Sequence, residues 1–106
     1  MSFLNNLKFD KIIHEKSRLL ILSSLAVSEN EFTTFWELKE KLGFTSGNLS
    51  VQLKKLEDSD YILIDKEIVQ NKSLSKIKIT KKGLDNLNNY LEEMQSIMLK
   101  LGGKND

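Results

Sequence analysis

The stretch FWELKEKLGFTSGNLSVQLKKLEDS, residues 35–59, decides the fold of this chain. Its first eight residues have the apolar spacing of a short amphipathic helix, and Gly43 is suited to the end of that helix. Thr45 and Ser46 are suited to cap a second helix, which is predicted from Ser46 to about Ser59. Two short helices joined by so tight a turn indicate a helix-turn-helix.

The two sides of the second helix differ in character. At 100° per residue, Leu49, Leu53 and Leu56 fall together and are predicted to be core. The other side carries small hydrogen-bonding residues and a valine in its first two turns, followed by lysines. A helix that enters a DNA major groove needs this arrangement, because small polar residues can reach base edges while lysines reach phosphates. An ordinary solvated helix surface fits the same residues about equally well.

A β-hairpin is predicted directly after these helices. Residues 61–69 are rich in β-formers, residues 70–73 are typical of a turn, and residues 76–80 alternate polar and apolar side chains. The segment from Ile68 to Leu84 holds five lysines and no acidic residue. Such a basic hairpin can contact the phosphate backbone or the adjacent minor groove. The lysines can equally protect an exposed strand edge from pairing with another chain, and both roles can hold together.

The last third of the chain is predicted to be a long helix, residues 83–101. Apolar residues recur there with spacings of 3, 4, 3, 4 and 3, which is a heptad-type seam. They are Leu84, Leu87, Leu91, Met94, Met98 and Leu101. The seam can pack on the first helix of the same chain, but its length favours a homodimer. Two-fold symmetry would then place the second helices of the two helix-turn-helix units about one duplex turn apart.

Composition narrows the functional classes. The chain has 106 residues, no cysteine and a formal net charge of +1, so neither a disulfide nor a cysteine-based metal site is available. The charge is 0 over residues 1–44, +3 over 45–82 and −2 over 83–106. Basic charge therefore collects on the helix-turn-helix and hairpin, which predicts weak, salt-sensitive non-specific DNA binding. No apolar run approaches bilayer length, so a cytoplasmic protein is expected.

Catalysis and cofactor binding find no support in the sequence. It contains no Gly-rich phosphate loop, no HExxH and no GxSxG, so no enzyme is predicted. His14 is the only histidine, and a capping or interface role is favoured over a metal site. No metal and no cofactor are predicted. Arg18 can pair with a phosphate or brace the first helix, and bracing is favoured.

Five short motifs together resemble a known family. They are SRLLIL at 17–22, Phe32-Thr33 leading into Glu37-Leu38, LGFTSGNLS at 42–50, LKKLE at 53–57 and ITKKG at 79–83. At these spacings they resemble the small winged-helix transcriptional regulators related to the ArsR and MarR groups, over residues 10–98. The chain departs from them at Asp60, where they usually have glycine, and in having no arginine in the recognition helix or wing.

The resemblance implies an α+β, mainly α, winged helix-turn-helix with a long C-terminal dimerisation helix. It implies a first helix, predicted here from about Phe9 to Ala26, a short strand near Phe32, and a recognition helix from Thr45 to Lys55. One domain is expected over residues 1–106, with residues 102–106 as a flexible tail. The residues predicted to bind DNA are Thr45, Ser46, Asn48, Ser50, Val51, Lys54, Lys55, Lys72 and Lys76.

Two functions follow from these predictions. The first is a homodimeric, sequence-specific transcriptional regulator that binds double-stranded DNA. The second is a winged helix that serves as a protein-interaction module, in which Val51 and the final helix contact another protein. A small-molecule effector would have to bind between the final helix and the DNA-reading part of the chain.

Overall fold

The structure of the chain is a computed structural model that describes residues 2–102. The mainly helical α+β class predicted from the sequence is confirmed. In chain order the elements are α1 (Ser2–Asn5), α2 (Lys16–Val27), β1 (Thr33–Thr34), α3 (Phe35–Leu42), α4 (Ser46–Asp58), β2 (Ile62–Val69), β3 (Lys72–Ile79) and α5 (Lys81–Gly102).

Local capping chemistry defines the helix-turn-helix, and the predicted helix end at Gly43 and cap at Thr45 are confirmed. Thr34 and Glu37 form a capping box at the start of α3, where Glu37 N donates to Thr34 Oγ1 at 3.2 Å. Gly43 follows α3 with a φ of 70°, a conformation that costs glycine nothing. Thr45 then caps α4, since its Oγ1 accepts from Asn48 N at 3.1 Å. The two helices are therefore only three residues apart.

The three strands form one antiparallel sheet in the order β1-β3-β2. Val69 pairs with Lys72, so the hairpin turn consists of Gln70 and Asn71, whose φ angles are 52° and 65°. Positive φ at both central residues is the geometry of a type I′ turn. The predicted turn, residues 70–73, was too long. Leu74 lies on the same face of β3 as Lys76 and Lys78. Its apolar side chain interrupts the alternation of polar and apolar residues, so the pattern did not reveal that β3 begins at Lys72.

The predicted first helix was also wrong at its start, because α2 begins at Lys16 rather than near Phe9. Two carboxylates account for the difference. Asp10 Oδ1 accepts from the backbone nitrogens of Ile12 and Ile13 at 2.8 and 3.2 Å. The Glu15 carboxylate caps α2 by accepting hydrogen bonds from the backbone nitrogens of Ser17 and Arg18. These side chains replace carbonyl acceptors and let residues 10–15 form turns instead of helix.

A single apolar cluster joins the elements. It consists of Ile13, Ile21, Leu22, Leu25, Leu38, Leu49, Leu53, Leu56, Tyr61, Ile62, Ile77, Leu87 and Tyr90. α5 contacts α2 through its N-terminal half and then leaves this cluster. The radius of gyration is 16.2 Å, whereas a compact chain of this length would have about 13 Å. Of the predicted tail, Gly102 is the last residue of α5, and residues 103–106 lie outside the described residues.

Candidate nucleic-acid interface

The recognition helix α4 turns its leucines inward, as predicted. Leu49, Leu53 and Leu56 are all buried in the core cluster. The predicted base-facing residues lie on the outside: Thr45, Ser46, Asn48, Ser50 and Val51 are exposed. Val51 is 51% exposed, which is a large fraction for an aliphatic side chain on a helix whose other face is core. The N-terminal half of α4 therefore presents small polar groups and one aliphatic group to the surroundings.

A hydrogen-bonded chain of side chains supports this surface from behind. Arg18 in α2 donates from Nε to Ile12 O at 2.6 Å and from a guanidinium nitrogen to Gln52 Oε1 at 2.8 Å. Gln52 Nε2 in turn donates to Asn48 Oδ1 at 3.1 Å. The favoured bracing role of Arg18 is confirmed, and the brace reaches α4. Gln52 was missed by the sequence reasoning, although its spacing of four from Asn48 is the one signal that could have found it.

Glu15 completes the brace at the start of α2. Its carboxylate lies 3.6 Å from the Arg18 guanidinium and accepts from Ser17 N and Arg18 N, both at 3.0 Å. Burial raises the pKa of Glu15, but the backbone hydrogen bonds and the charge of Arg18 outweigh it and lower the pKa below its ordinary value. The carboxylate therefore stays ionised beside the guanidinium at neutral pH.

The predicted phosphate-binding lysines have different surroundings. Lys55 and Lys72 are exposed and form no ion pair with any residue from 2 to 102. Lys54 is exposed but lies 2.9 Å from Asp58 Oδ1, and this hydrogen bond raises its pKa. Lys76 is more restrained, with its ammonium 2.6 Å from Glu67 Oε1 and 4.4 Å from the centre of the Phe32 ring. Lys55 and Lys72 are thus the most available of the four.

An open groove of about 490 Å³ separates α4 from the hairpin. Ser50, Lys54 and Glu57 line it from α4, and Ile64, Lys66 and Ser75 line it from the sheet. Ser50 and Lys54 therefore face the hairpin side of the recognition helix. The wing and the recognition helix form two neighbouring projections with a cleft between them.

The predicted dimerisation seam divides into two parts. Leu87 is only 2% exposed and belongs to the core cluster together with Tyr90, so the structure places it against its own chain rather than on the outer seam. This burial corresponds to the alternative in which the final helix packs on the first. Five predicted residues remain exposed along α5, and they are Leu84, Leu91, Met94, Met98 and Leu101. The exposed seam continues past the point where α5 leaves the core.

The N-terminal segment covers one side of α5. Lys8 N and Phe9 N both donate to the Glu93 carboxylate, and the Phe9 ring stacks on His14 at 5.2 Å between ring centres. His14 Nδ1 lies 2.7 Å from the Tyr90 hydroxyl. His14 therefore joins the N-terminal segment to α5.

The sequence profile of a family described as "Winged helix DNA-binding domain" matches residues 17–98. The chain belongs to this family. The matched span contains the helix-turn-helix, the hairpin and most of α5, which together form the surface described above. An uncharacterized protein of Methanocaldococcus jannaschii is 38% identical over 84 residues, which cover 79% of this chain and 89% of that protein.

Solved structures with a similar fold include proteins described as transcriptional regulators. A transcriptional regulator homologue from Pyrococcus horikoshii OT3 is similar with a TM-score of 0.82 at 21% identity, over 95% of this chain and 98% of that one. Staphylococcus aureus MarR, solved in complex with salicylate and kanamycin, is similar with a TM-score of 0.69 at 19% identity, over 83% of this chain and 57% of MarR. The predicted resemblance to winged-helix DNA-binding proteins is confirmed by the family match, and the fold is similar to that of MarR.

Two further observations concern the described part of the chain. Between residues 2 and 102, no cluster of three or more His, Cys, Asp or Glu side chains is arranged to hold a metal ion. No helix in that range has both the length and the apolar character needed to cross a bilayer.

Proposed function

We propose that the protein is a sequence-specific, non-enzymatic transcriptional regulator that binds double-stranded DNA in the cytoplasm as a homodimer. In this proposal α4 enters the major groove and the lysine-bearing hairpin follows the phosphate backbone. One observation carries it: the outer face of α4 is built of small, exposed, hydrogen-bonding residues while its inner face is locked into the core. A rigid scaffold behind a polar recognition surface is what direct base readout requires.

Electrostatics support the backbone contact. The net charge is only +1 for the whole chain, yet residues 45–82 carry +3. Lys55 near the end of α4 and Lys72 at the hairpin turn are exposed and unpaired within residues 2–102. Each phosphate neutralised by such a lysine releases a condensed counterion, which makes binding salt-dependent.

The exposed seam of α5 supports the homodimer. Met98 is 68% exposed and Leu101 is 60% exposed, and both lie on one exposed apolar stripe with Leu91 and Met94. Burying such a stripe against a second copy stabilises the assembly by roughly 25 cal/mol per Å² of apolar surface removed from water. A two-fold arrangement predicts a pseudo-palindromic site with half-sites about ten base pairs apart.

The first experiment is selection from a random duplex pool. The purified protein is incubated with the pool at low and at moderate salt, and the bound molecules are sequenced. We expect enrichment of an inverted repeat with half-sites about ten base pairs apart. Recovery of no sequence, with all binding lost at moderate salt, would reduce the interaction to a non-specific one and refute the proposal.

The phosphate contacts are tested by salt titration of the selected site. The double variant Lys55→Ala/Lys72→Ala should lower the slope of log affinity against log salt by about 1.8 per protomer, since each lost contact removes about 0.9. Lys100→Ala is the control for loss of positive charge as such, because it removes one lysine near the end of α5 rather than on α4 or the hairpin. Equal slopes for the double variant and the control would contradict the proposed role of the helix and wing.

The protein-interaction module remains the second candidate. Its specific support is apolar exposure on the helix and hairpin proposed to bind DNA, where Val51 is 51% exposed and Ile68, beside the hairpin turn, is 80% exposed. An empty selection, together with a salt slope on a duplex of arbitrary sequence that is the same for the double variant and the wild type, would favour this function over DNA binding.

A further inference from the structure

The brace behind α4 determines which way the Asn48 amide faces. A guanidinium has only donors, so the Gln52 atom that meets Arg18 at 2.8 Å is the carbonyl oxygen Oε1. The NH₂ of Gln52 then faces Asn48, and the Asn48 atom that accepts from it at 3.1 Å is Oδ1. The always-charged arginine thus assigns both amides without ambiguity.

The arrangement is held in place from inside the protein. Arg18 is 9% exposed and is anchored by the Ile12 carbonyl and the Glu15 carboxylate. Asn48 itself is exposed on the outer side of α4, and its Nδ2 donates to no residue between 2 and 102. Asn48 consequently presents an amide donor to the surroundings, while its carbonyl edge is engaged by Gln52.

We propose that Asn48 donates a hydrogen bond to the keto oxygen of guanine or thymine, and that Gln52 and Arg18 are positioning residues that impose this preference. The inference rests on the proposed entry of α4 into the major groove. There, G and T present the acceptors O6 and O4 at the place where A and C present an amino group. An asparagine pairs with adenine through its amide oxygen and nitrogen together, whereas the Asn48 oxygen already accepts a hydrogen bond from Gln52.

Two substitutions place an oxygen where the Asn48 amide nitrogen faces the groove, and they do so by independent routes. In Gln52→Glu, the carboxylate still accepts from Arg18 but accepts from Asn48 as well, so the Asn48 amide turns and its oxygen faces the groove. In Asn48→Asp, the brace between Arg18 and Gln52 is untouched, and a carboxylate oxygen faces the groove. Both variants should prefer an amino base at the contacted position. The control Gln52→Met removes the hydrogen bonds at similar length and should lose the preference.

The experiment repeats the duplex selection with the wild type and these three variants, each checked by circular dichroism and thermal unfolding. At one position per half-site, the wild type should favour G and T over A and C by about 3- to 10-fold, the range expected from one net hydrogen bond. Gln52→Glu and Asn48→Asp should reverse that ratio at the same position and leave the rest of the inverted repeat unchanged. A general structural defect would lower affinity at all positions without reversing one.

Failure of the inference is distinguishable from failure of the proposed function. If the wild type selects an inverted repeat but no position changes between the wild type and Asn48→Asp, the proposed readout is wrong while DNA binding stands. The same holds if the folded Gln52→Glu variant retains the keto preference. If the wild type selects nothing, the proposed function is overturned and the inference with it.

Discussion

Replacement of Gly83 by alanine should destabilise the protein, although alanine is the better helix former. Gly83 lies in the first turn of α5 and is buried where the helix starts against the segment before β2. A Cβ placed on it would lie 2.2 Å from the carbonyl oxygen of Tyr61 and 3.1 Å from a side-chain carbon of Ile79. The Tyr61 oxygen is itself held by a hydrogen bond from Thr80 N at 3.0 Å.

The magnitude follows from this geometry. Close carbon–oxygen contacts in proteins lie at about 3.3 Å or more, so the start of α5 must move by about 1 Å. Overpacking of this kind costs about 1–3 kcal/mol, and the upper end applies here because the obstacle is backbone and cannot rotate away. The higher helix propensity of alanine offsets about 1 kcal/mol of this cost. We expect a net loss of about 2 kcal/mol in the free energy of unfolding.

The assay is urea unfolding followed by circular dichroism, with Gly47→Ala as the matched control. Gly47 is also a helical glycine, in the first turn of α4, but nothing lies within 4 Å of a Cβ placed there. Gly47→Ala should therefore stabilise the protein, by up to about 1 kcal/mol. The two variants should shift the urea midpoint in opposite directions. If Gly83→Ala is as stable as the wild type, the close approach of α5 to Tyr61 is refuted.

Three further variants have defined expectations. Because the pKa of Glu15 is held below its ordinary value of 4.5, the ionised carboxylate stabilises the fold above that pH. This contribution is lost as the pH falls through the lowered pKa. In urea unfolding at acid pH, Glu15→Gln should therefore lose less stability than the wild type. Burial and the hydrogen bond to Asp10 raise the pKa of Tyr61 above 10.0, so its stabilisation is present below pH 10 and lost above it. Tyr61→Phe should then show a smaller loss between about pH 10 and 11 than the wild type, and an identical loss would exclude this origin. The double variant Leu91→Lys/Met98→Lys should convert a dimer to monomers in sedimentation experiments, whereas Lys100→Ala should stay dimeric. A Leu91→Lys/Met98→Lys variant that stays dimeric would place the interface elsewhere.

The helix-turn-helix could be predicted closely because its signals are local. The box formed by Thr34 and Glu37, the left-handed Gly43 and the Thr45 cap each act within a few residues. The leucine face of α4 follows from helix periodicity alone. Interactions of this range need no knowledge of the rest of the chain.

Other features depended on partners distant in sequence. The first helix was predicted too long, because apolar periodicity did not reveal that Asp10 and Glu15 would take up the backbone donors before Lys16. Leu87 and Leu91 are indistinguishable in the heptad pattern, yet only Leu87 meets the core. Which of these leucines is buried depends on the direction in which α5 leaves the core. The residue pattern of one helix carries no information on that direction.

The sequence by itself determined the helix-turn-helix, the hairpin and the final helix, their order and the face of α4 that meets water, since propensity, capping and periodicity are properties of neighbouring residues. Only the tertiary structure decided how that face is presented. Arg18 and Gln52 are 34 positions apart in sequence, and Lys76 and Glu67 meet across two strands. Folding brings such charged and polar groups together in a partly desolvated setting, where each donor must find an acceptor. That requirement orients the Asn48 amide and restrains Lys76.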